Sequence, residues 1–312
     1  MPSFFGVLFV SLCWGLGGPL SFSAVQTLSP AAATFGRCVF AFLGLSPFFI
    51  LDGPRLFRRL SPRGLMLLTL SGFLLGVHFY FFIAGVAYAS LATTVMIVAV
   101  EPVLILAIGV LGFKEKLTPH GVLGILFCIS GVMIISALPN WLSGSSNRGW
   151  GDLCAVLAVV TYAIYYAINR GLRSEEARMN LPGGVLRGGF AMASWIYLFA
   201  SLSSGSLIFI TTDGQKGLSG PLDAKVWGAL IAMGLIPTLL GHSLSQILSR
   251  RVHPIWISLM SPGETLMSLL IGWVFLNQSL RPVDQLGGLL IGAGVIIALL
   301  GEIRKKDSSR RK

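Results

Sequence analysis

The sequence EPVLILAIGVLGFKEKLTPHGVLGILFCISGV, residues 101–132, matches ETLMSLLIGWVFLNQSLRPVDQLGGLLIGAGV, residues 264–295, at a constant offset of 163 positions and without a gap. The match extends over Thr93–Ser136 and Trp256–Leu299, and it places Glu101 on Glu264. Both glutamates lie deep inside long apolar stretches, where an ionisable side chain is costly and usually functional. A duplicated membrane unit with one buried acid in each copy predicts a carrier whose central site lies between the copies.

The composition is that of a polytopic membrane protein. Of the 312 residues, 54% are hydrophobic and 11% are charged, and the mean hydropathy is +0.81. Each bilayer crossing takes about 20 apolar residues, so the unbroken apolar runs predict an all-α membrane protein with ten transmembrane helices. Strands of a β-barrel would alternate instead. The predicted spans are 4–24, 31–51, 64–84, 88–111, 119–138, 150–169, 184–210, 226–248, 254–276 and 283–302.

The positive charges alternate from loop to loop. With ten spans and both termini on one side, eighteen of the 23 Lys and Arg residues fall on the side of the termini, four fall on the other side, and Arg37 lies within span 2. The positive-inside rule then predicts a multi-pass protein of the cytoplasmic (inner or plasma) membrane with both termini in the cytoplasm. The net charge of +11 thus reflects topology and does not indicate a nucleic-acid partner.

The polar stretch 139–149 predicts a linker between two five-helix repeats, residues 1–138 and 150–303, followed by a basic cytoplasmic tail, 304–312, that contacts membrane lipid. An odd number of spans in each repeat inverts the second copy. In agreement, the loop with Lys114 and Lys116 is basic, whereas its counterpart after span 9 is nearly uncharged. Glycines on both copies indicate close helix packing. These are Gly124, Gly131, Gly287, Gly288, Gly292 and Gly294.

Short motifs follow one another in a fixed order along the chain. They are Leu12-Cys13-Trp14-Gly15, Arg37, Glu101-Pro102-Val103, Lys114 through Thr118, Gly241-His242-Ser243-Leu244, Glu264, and Gly287 through Gly294. This order resembles the EamA-type transporters of the drug/metabolite transporter superfamily, over essentially the whole chain. The resemblance implies a ten-helix inverted-repeat carrier that exports amino acids, related metabolites or drugs, in many members driven by the proton gradient. The chain departs from the family at Thr265, Gln246 and Gln278, where Pro, Asn and Glu are usual.

The predicted substrate site comprises seven residues: Trp14, His78, Phe82, Glu101, Tyr162, His242 and Glu264. The inclusion of Trp14 follows from the resemblance. Glu101 and Glu264 are also the candidates for proton coupling, because burial favours the neutral form of a carboxyl group. The alternative is a permanently protonated acid that joins two helices. The two histidines can bind a substrate carboxylate, or they can be satisfied core residues.

Arg37 is the basic residue well inside a predicted span, and we expect it to form a structural ion pair with a buried acid. Alternatives are a contact with a substrate carboxylate and snorkelling to the interface. Pro102 and Pro262 lie beside the two acids, where a missing backbone donor frees a carbonyl and weakens the helix. Such carbonyls can bind cations or allow hinging; a simple kink is the alternative.

The sequence therefore predicts an alternating-access secondary transporter that exports amino acids or related small metabolites by proton antiport. Alternatives are multidrug or organic-cation efflux, which aromatic side chains suit, and metabolite import. An intramembrane enzyme is a further alternative, but the sequence lacks a serine-protease nucleophile motif, paired mid-span aspartates and a metal motif. Cysteines lie singly in different spans, so we expect no metal and no cofactor. The expected partners are a small-molecule substrate, lipid and protons, with the protein as a monomer or homodimer.

Overall fold

The computed structural model describes residues 2–113, 118–143, 149–179, 184–211, 223–249, 260–277 and 279–310. All regular secondary structure in these ranges is helical, which confirms the all-α prediction. Lys114, Lys116 and Gln278 lie outside these ranges, as do residues 144–148 of the predicted linker and 254–259 of predicted span 9.

The N-terminal part of the chain, up to residue 143, contains nine helices in the described ranges. They are α1 (Pro2–Gly15), α2 (Gly17–Ala24), α3 (Pro30–Gly44), α4 (Ser46–Leu51), α5 (Gly53–Arg59), α6 (Pro62–Tyr88), α7 (Leu91–Val98), α8 (Glu101–Phe113) and α9 (Pro119–Ser143). Serine hydroxyls cap several of them: Ser29, Ser61 and Ser90 each accept a hydrogen bond from a backbone N–H of the first turn that follows.

The C-terminal part, from residue 149 onward, contains six α-helices and one π-helical turn in the described ranges. They are α10 (Gly149–Met179), α11 (Gly184–Ile210), α12 (Ala224–Met233), the π turn (Gly234–His242), α13 (Ser243–Leu248), α14 (Met260–Leu276) and α15 (Pro282–Arg310). Asn277, at φ 51°, follows α14 in the left-handed conformation that asparagine tolerates.

Five helical segments are long and apolar enough to cross a membrane: Phe5–Ala24, Pro62–Tyr88, Gly149–Leu172, Leu186–Ile210 and Ala224–Leu248. Five shorter apolar helices are Pro30–Gly44, Leu91–Ile105, Pro119–Ile134, Met260–Leu276 and Pro282–Ile297. Each of the ten overlaps one predicted span. The chain is thus an integral membrane protein, and crossing by the shorter five stays a prediction.

Two predicted boundaries differ from the structure. Residues 139–143, predicted as linker, continue α9 to Ser143, and α15 runs on to Arg310 through most of the predicted tail. Polar side chains lower hydropathy, but they do not by themselves stop a helix that tertiary packing has already started. Residues 304–310 contain neither Gly nor Pro, and α9 continues through Pro139 to Ser143. Gly292 was predicted to lie at a close helix contact, but a Cβ placed there would meet nothing within 4 Å.

The helix of span 4 is interrupted beside Glu101, where Pro102 predicted a weakened turn. α7 ends at Val98, and α8 begins at Glu101. Pro102 has no N–H to donate to the Val98 carbonyl, four residues earlier. That carbonyl instead accepts a hydrogen bond from Ser261 Oγ at 3.2 Å, across to α14. The break therefore places Glu101 at a helix start in the protein interior.

A second irregularity lies in span 8, where sequence reasoning expected a plain helix. Pro237 cannot donate to the carbonyl of Met233, and the chain widens into the π turn. The Thr238 hydroxyl donates to that carbonyl at 2.8 Å and so replaces the missing bond. The wide turn ends at His242.

Several contacts join residues that are equivalent in the two copies. Ser261 Oγ bonds Val98 O, and Cys128 Sγ lies 3.6 Å from Ile291 O; the partners in each pair are 163 positions apart. A Cβ on Gly131 would lie 2.6 Å from the Gly287 oxygen, and a Cβ on Gly294 would lie 2.7 Å from the Gly124 oxygen. Reciprocal contacts of this kind are typical of a two-fold related pair. In this chain they join α9 to α15 and α7 to α14.

Polar contacts close the bundle at both ends. Arg187 Nε donates to Asp52 Oδ2 at 2.6 Å, which ties the start of α11 to the junction of α4 and α5. At the opposite end, Arg281 donates to Asp284 Oδ2 through Nε at 2.7 Å, and to Thr93 Oγ1 through Nη2 at 2.9 Å. The carboxylate of Asp284 raises the pKa of Arg281 above its usual value. Contacts at each end thus hold the N-terminal and C-terminal parts together.

Candidate functional site

A narrow cavity, which we call the central cavity, lies where the N-terminal and C-terminal parts meet. It is lined by Trp14, Gly17, Arg37, His78, Phe82, Val98, Glu101, Tyr162, His242 and Glu264. All seven predicted substrate-site residues are among them, together with Arg37. The structure therefore brings together side chains that lie as far apart in the sequence as Trp14 and Glu264. It does not by itself assign a ligand to them.

Breaks and turns of helix position several of these side chains. Trp14 is the last residue but one of α1, Glu101 begins α8, and His242 ends the π turn. Trp14 also depends on a glycine: a Cβ on Gly241 would lie 2.5 Å from Trp14 Cδ1. The Trp-Gly motif of span 1 and the Gly-His motif of span 8 therefore meet at the wall of the central cavity.

The two predicted acids face the same space from opposite parts of the chain. Glu101 is 3% exposed, and Glu264 is partly buried. Both acids line the central cavity, together with Arg37. Two carboxylates that share a low-dielectric cavity repel each other, so a proton or a cation that neutralises one of them is stabilised there.

Arg37 is almost fully buried, at 3% exposed, and its direct contacts differ from those expected. Its Nε donates to Thr238 Oγ1 at 2.7 Å, and its Cζ lies 3.7 Å from the centre of the Phe79 ring. Arg37 forms no ion pair within 4.0 Å with a described residue. A hydroxyl and an aromatic face thus stand where an ion pair with a buried acid was predicted, and Glu264 lines the same cavity as Arg37. Both kinds of contact suit a guanidinium that is held away from water.

Aromatic and imidazole rings form the rest of the wall. Ring centres of Trp14 and His242 are 4.9 Å apart, those of His78 and Tyr162 are 5.0 Å apart, and those of the two histidines are 6.5 Å apart. Such a cluster offers apolar faces with polar edges, which suits an amphipathic ligand.

The two histidines differ in their hydrogen bonding. His78 Nδ1 lies 2.9 Å from the Ala158 carbonyl, which can only accept, so Nδ1 carries a hydrogen there. His242 Nδ1 and Trp14 Nε1 are buried and have no hydrogen-bond partner among the described residues. A buried polar atom without a partner is costly and uncommon. Two such atoms in the wall of one cavity indicate a place where a ligand or water completes the bonding.

Sequence reasoning missed three residues that hold the site together. Phe79 lies under Arg37 and is 5.0 Å, ring to ring, from His242. Thr238 accepts from Arg37, and Tyr197 Oη donates to the Thr238 carbonyl at 2.7 Å. Two features of the sequence could have pointed to these residues: Pro237-Thr238 inside an apolar span, and an aromatic residue beside His78.

Comparison with known proteins gives a consistent picture. The chain matches the EamA-like transporter family over residues 1–137 and 149–300. It is 25% identical over 288 residues to the uncharacterized transporter YxxF of Bacillus subtilis, covering 91% of this chain and 86% of that protein. It is 23% identical over 308 residues to the uncharacterized inner membrane transporter YhbE of Escherichia coli, covering 94% and 90%. A solved crystal structure shares the fold, with a TM-score of 0.65, 18% identity and coverage of 96% and 97%.

Proposed function

The chain belongs to the EamA-like transporter family, and from this premise we propose that it is an alternating-access secondary transporter that exports amino acids or related small metabolites in exchange for protons. The observation that carries the proposal is the central cavity, to which each copy of the repeat contributes one glutamate. The same cavity holds Arg37 and two buried polar atoms without a partner among the described residues, the Trp14 Nε1 donor and the ring nitrogen His242 Nδ1.

The architecture that we propose is ten membrane helices in two inverted five-helix repeats, residues 1–138 and 150–303. The reciprocal contacts between equivalent residues, such as Val98 with Ser261, support a pseudo-two-fold relation between the copies. Alternating access then follows from rocking of one repeat against the other around the central cavity. The charge distribution supports cytoplasmic termini in the cytoplasmic membrane.

The chemistry of the cavity fits a zwitterion. An ammonium group is attracted to Glu101 and Glu264, while a carboxylate accepts from Trp14 Nε1 and is attracted to Arg37. The rings of Phe82 and Tyr162 contact the apolar part of such a molecule. Antiport arises when the carboxyl groups hold either a proton or the ammonium group, but not both, while the cavity opens alternately to the two sides of the membrane.

Organic-cation efflux is the second candidate. Two carboxyl groups face one guanidinium in the central cavity, and several aromatic faces surround them. This excess of acid, together with the attraction of aromatic faces for cations, suits a ligand with a positive charge and no carboxylate.

Purified protein in liposomes tests both candidates. Counterflow and gradient-driven uptake of amino acids, amines and cationic drugs are measured with and without an imposed pH gradient. Glu101→Gln and Glu264→Gln are expected to abolish gradient-driven uptake of the substrate so identified. Glu175→Gln is the matched control, because Glu175 accepts from Ser61 at 2.8 Å and does not line the cavity. Full gradient-driven transport by both cavity variants would refute proton coupling through these acids.

A further inference from the structure

A second cavity lies beside the central one and is enclosed by α10, α11 and α13. Its polar lining consists of Tyr165, Asn169, Tyr197, Ser243 and Gln246. Four of these side chains are almost fully buried; Gln246 is partly buried. Nothing in the proposed transport cycle uses this cavity.

The two cavities share two elements. On α10, Tyr162 lines the central cavity, and Tyr165 and Asn169 line the second cavity one and two turns later. On the other wall, His242 lines the central cavity, and Ser243, the next residue, lines the second. The ring centres of Tyr162 and Tyr165 are 5.7 Å apart. The cavities are therefore adjacent.

The second cavity lies toward the predicted cytoplasmic end. Its lining includes Leu172 and Gly189, near the end of α10 and the start of α11. The arginines around that connection are the ones that the charge pattern places in the cytoplasm: Arg170, Arg173, Arg178 and Arg187. A solute that moves from the cytoplasm through this cavity reaches the central cavity next.

Two hydrogen bonds cross the second cavity between its helices. Gln246 Nε2 donates to Tyr165 Oη at 3.2 Å, from α13 to α10. Tyr197 Oη lies 3.0 Å from Ser243 Oγ, which joins α11 to α13. Both bonds are between neutral groups, which contribute only about 1 kcal/mol each. They can therefore exchange for bonds to a ligand at little cost.

The polar groups of the second cavity are amides, hydroxyls and phenols, whereas the central cavity contains two carboxyls and a guanidinium. A lining of neutral hydrogen-bonding groups accepts a neutral or zwitterionic molecule, but it offers no counter-ion to a molecule with a net charge. We propose that the second cavity is an access subsite, through which a small, net-neutral ligand passes from the cytoplasm to the central cavity. The proposal rests on the transport function proposed above.

Cysteine labelling tests the route without knowledge of the substrate. The four native cysteines, all buried, are replaced by alanine, and Val98→Cys reports on the central cavity. The probe is 2-amino-2-carboxyethyl methanethiosulfonate, a zwitterion of amino-acid size, applied to the cytoplasmic face in inverted vesicles. Ala193→Phe fills the second cavity, and Leu202→Phe, on the lipid-facing side of the same helix at 62% exposed, is the matched control.

We expect Ala193→Phe to slow labelling of Val98→Cys by about tenfold or more, which corresponds to a barrier about 1.4 kcal/mol higher. Leu202→Phe leaves the rate unchanged. Equal rates in the Ala193→Phe and parent proteins would overturn the route, as would no labelling from the cytoplasmic face in the parent. If the phenylalanine variant is not monodisperse, Ala193→Leu carries the same comparison with a smaller side chain.

The choice of ligand class is tested at the second cavity itself. With Ser243→Cys as the reporter, the zwitterionic probe is expected to react faster than trimethylammonium or sulfonate methanethiosulfonates, after correction for their rates with free thiol. Equal corrected rates would overturn the preference for net-neutral molecules. These measurements involve no transported substrate, so failure of the amino-acid screen does not affect them, and a positive screen does not rescue a failed labelling result.

Discussion

Thr238 connects three parts of the site through one side chain and its carbonyl, so its replacement by valine is an informative perturbation. Valine keeps the shape of threonine but lacks the hydroxyl. The change removes the acceptor for Arg37 Nε at 2.7 Å and the donor to the Met233 carbonyl at 2.8 Å. The bond from Tyr197 to the Thr238 carbonyl is untouched.

The hydrogen bond from the charged Arg37 guanidinium accounts for most of the expected loss of stability. Hydrogen bonds to a charged group contribute about 1.5–3 kcal/mol, whereas neutral bonds between membrane helices average only about 0.6 kcal/mol. We therefore expect Thr238→Val to lower the free energy of unfolding by about 2–3 kcal/mol, mostly because the Arg37 guanidinium loses a buried acceptor. Thr238→Ser keeps the oxygen and loses one methyl group, which costs about 1 kcal/mol.

The assay is reversible unfolding by denaturing detergent in mixed micelles, followed by circular dichroism. A double-mutant cycle with Arg37→Gln isolates the pair, and a coupling of about 1.5 kcal/mol or more is expected. If the valine and serine variants are equally stable, or if the coupling energy is near zero, other contacts of Arg37, such as that with the Phe79 ring, stabilise the guanidinium. The Thr238 hydroxyl then does not stabilise it, and the reasoning is refuted.

The packing and the charge pattern support three further predictions. Gly131→Val is expected to destabilise the protein by about 2 kcal/mol, because its Cβ meets the backbone of α15. Gly292→Val is the control and is expected to have little effect, because a Cβ there has no neighbour within 4 Å. Equal thermal stability of the two variants would contradict this packing. Arg281→Lys keeps the positive charge but loses the bidentate pairing with the Asp284 carboxylate, so the free energy of unfolding is expected to fall by about 1 kcal/mol. Unchanged stability would show that the positive charge alone accounts for the contribution of Arg281. A fluorescent protein fused after Lys312 is expected to fluoresce and alkaline phosphatase at the same place to be inactive, and the reverse result would invert the topology.

The acids and their helices could be predicted from the sequence because their signals are local or repeated. Glu101 and Glu264 stand out against apolar runs and occupy the same position in two copies, and the helix break follows from Pro102. The resemblance to a family identified Trp14, which no pattern in span 1 would have selected. The seven predicted residues consequently include most of the lining of the central cavity.

What could not be predicted depends on partners distant in the chain. Arg37 and Thr238 are 201 positions apart, and no local pattern shows that their side chains meet. Pro237 signals a lost backbone bond, but whether the helix kinks or widens depends on the hydroxyl that follows it. The stacking of Arg37 on Phe79 likewise arises from the packing of α3 against α6.

The bond between Ser261 and Val98 shows how the two copies have come to differ at the place where they touch. Proline at position 102 leaves the Val98 carbonyl without its helical donor, and the other copy supplies a serine hydroxyl at the corresponding position. Thr265, the counterpart of that proline, adds a hydroxyl 2.9 Å from Val95 O. In these two bonds the first copy provides backbone carbonyls and the second provides side-chain hydroxyls, which Val98 and Pro102, at the same positions of the first copy, lack. Replacing Ser261 and Thr265 by the valine and proline of the first copy would therefore remove both bonds.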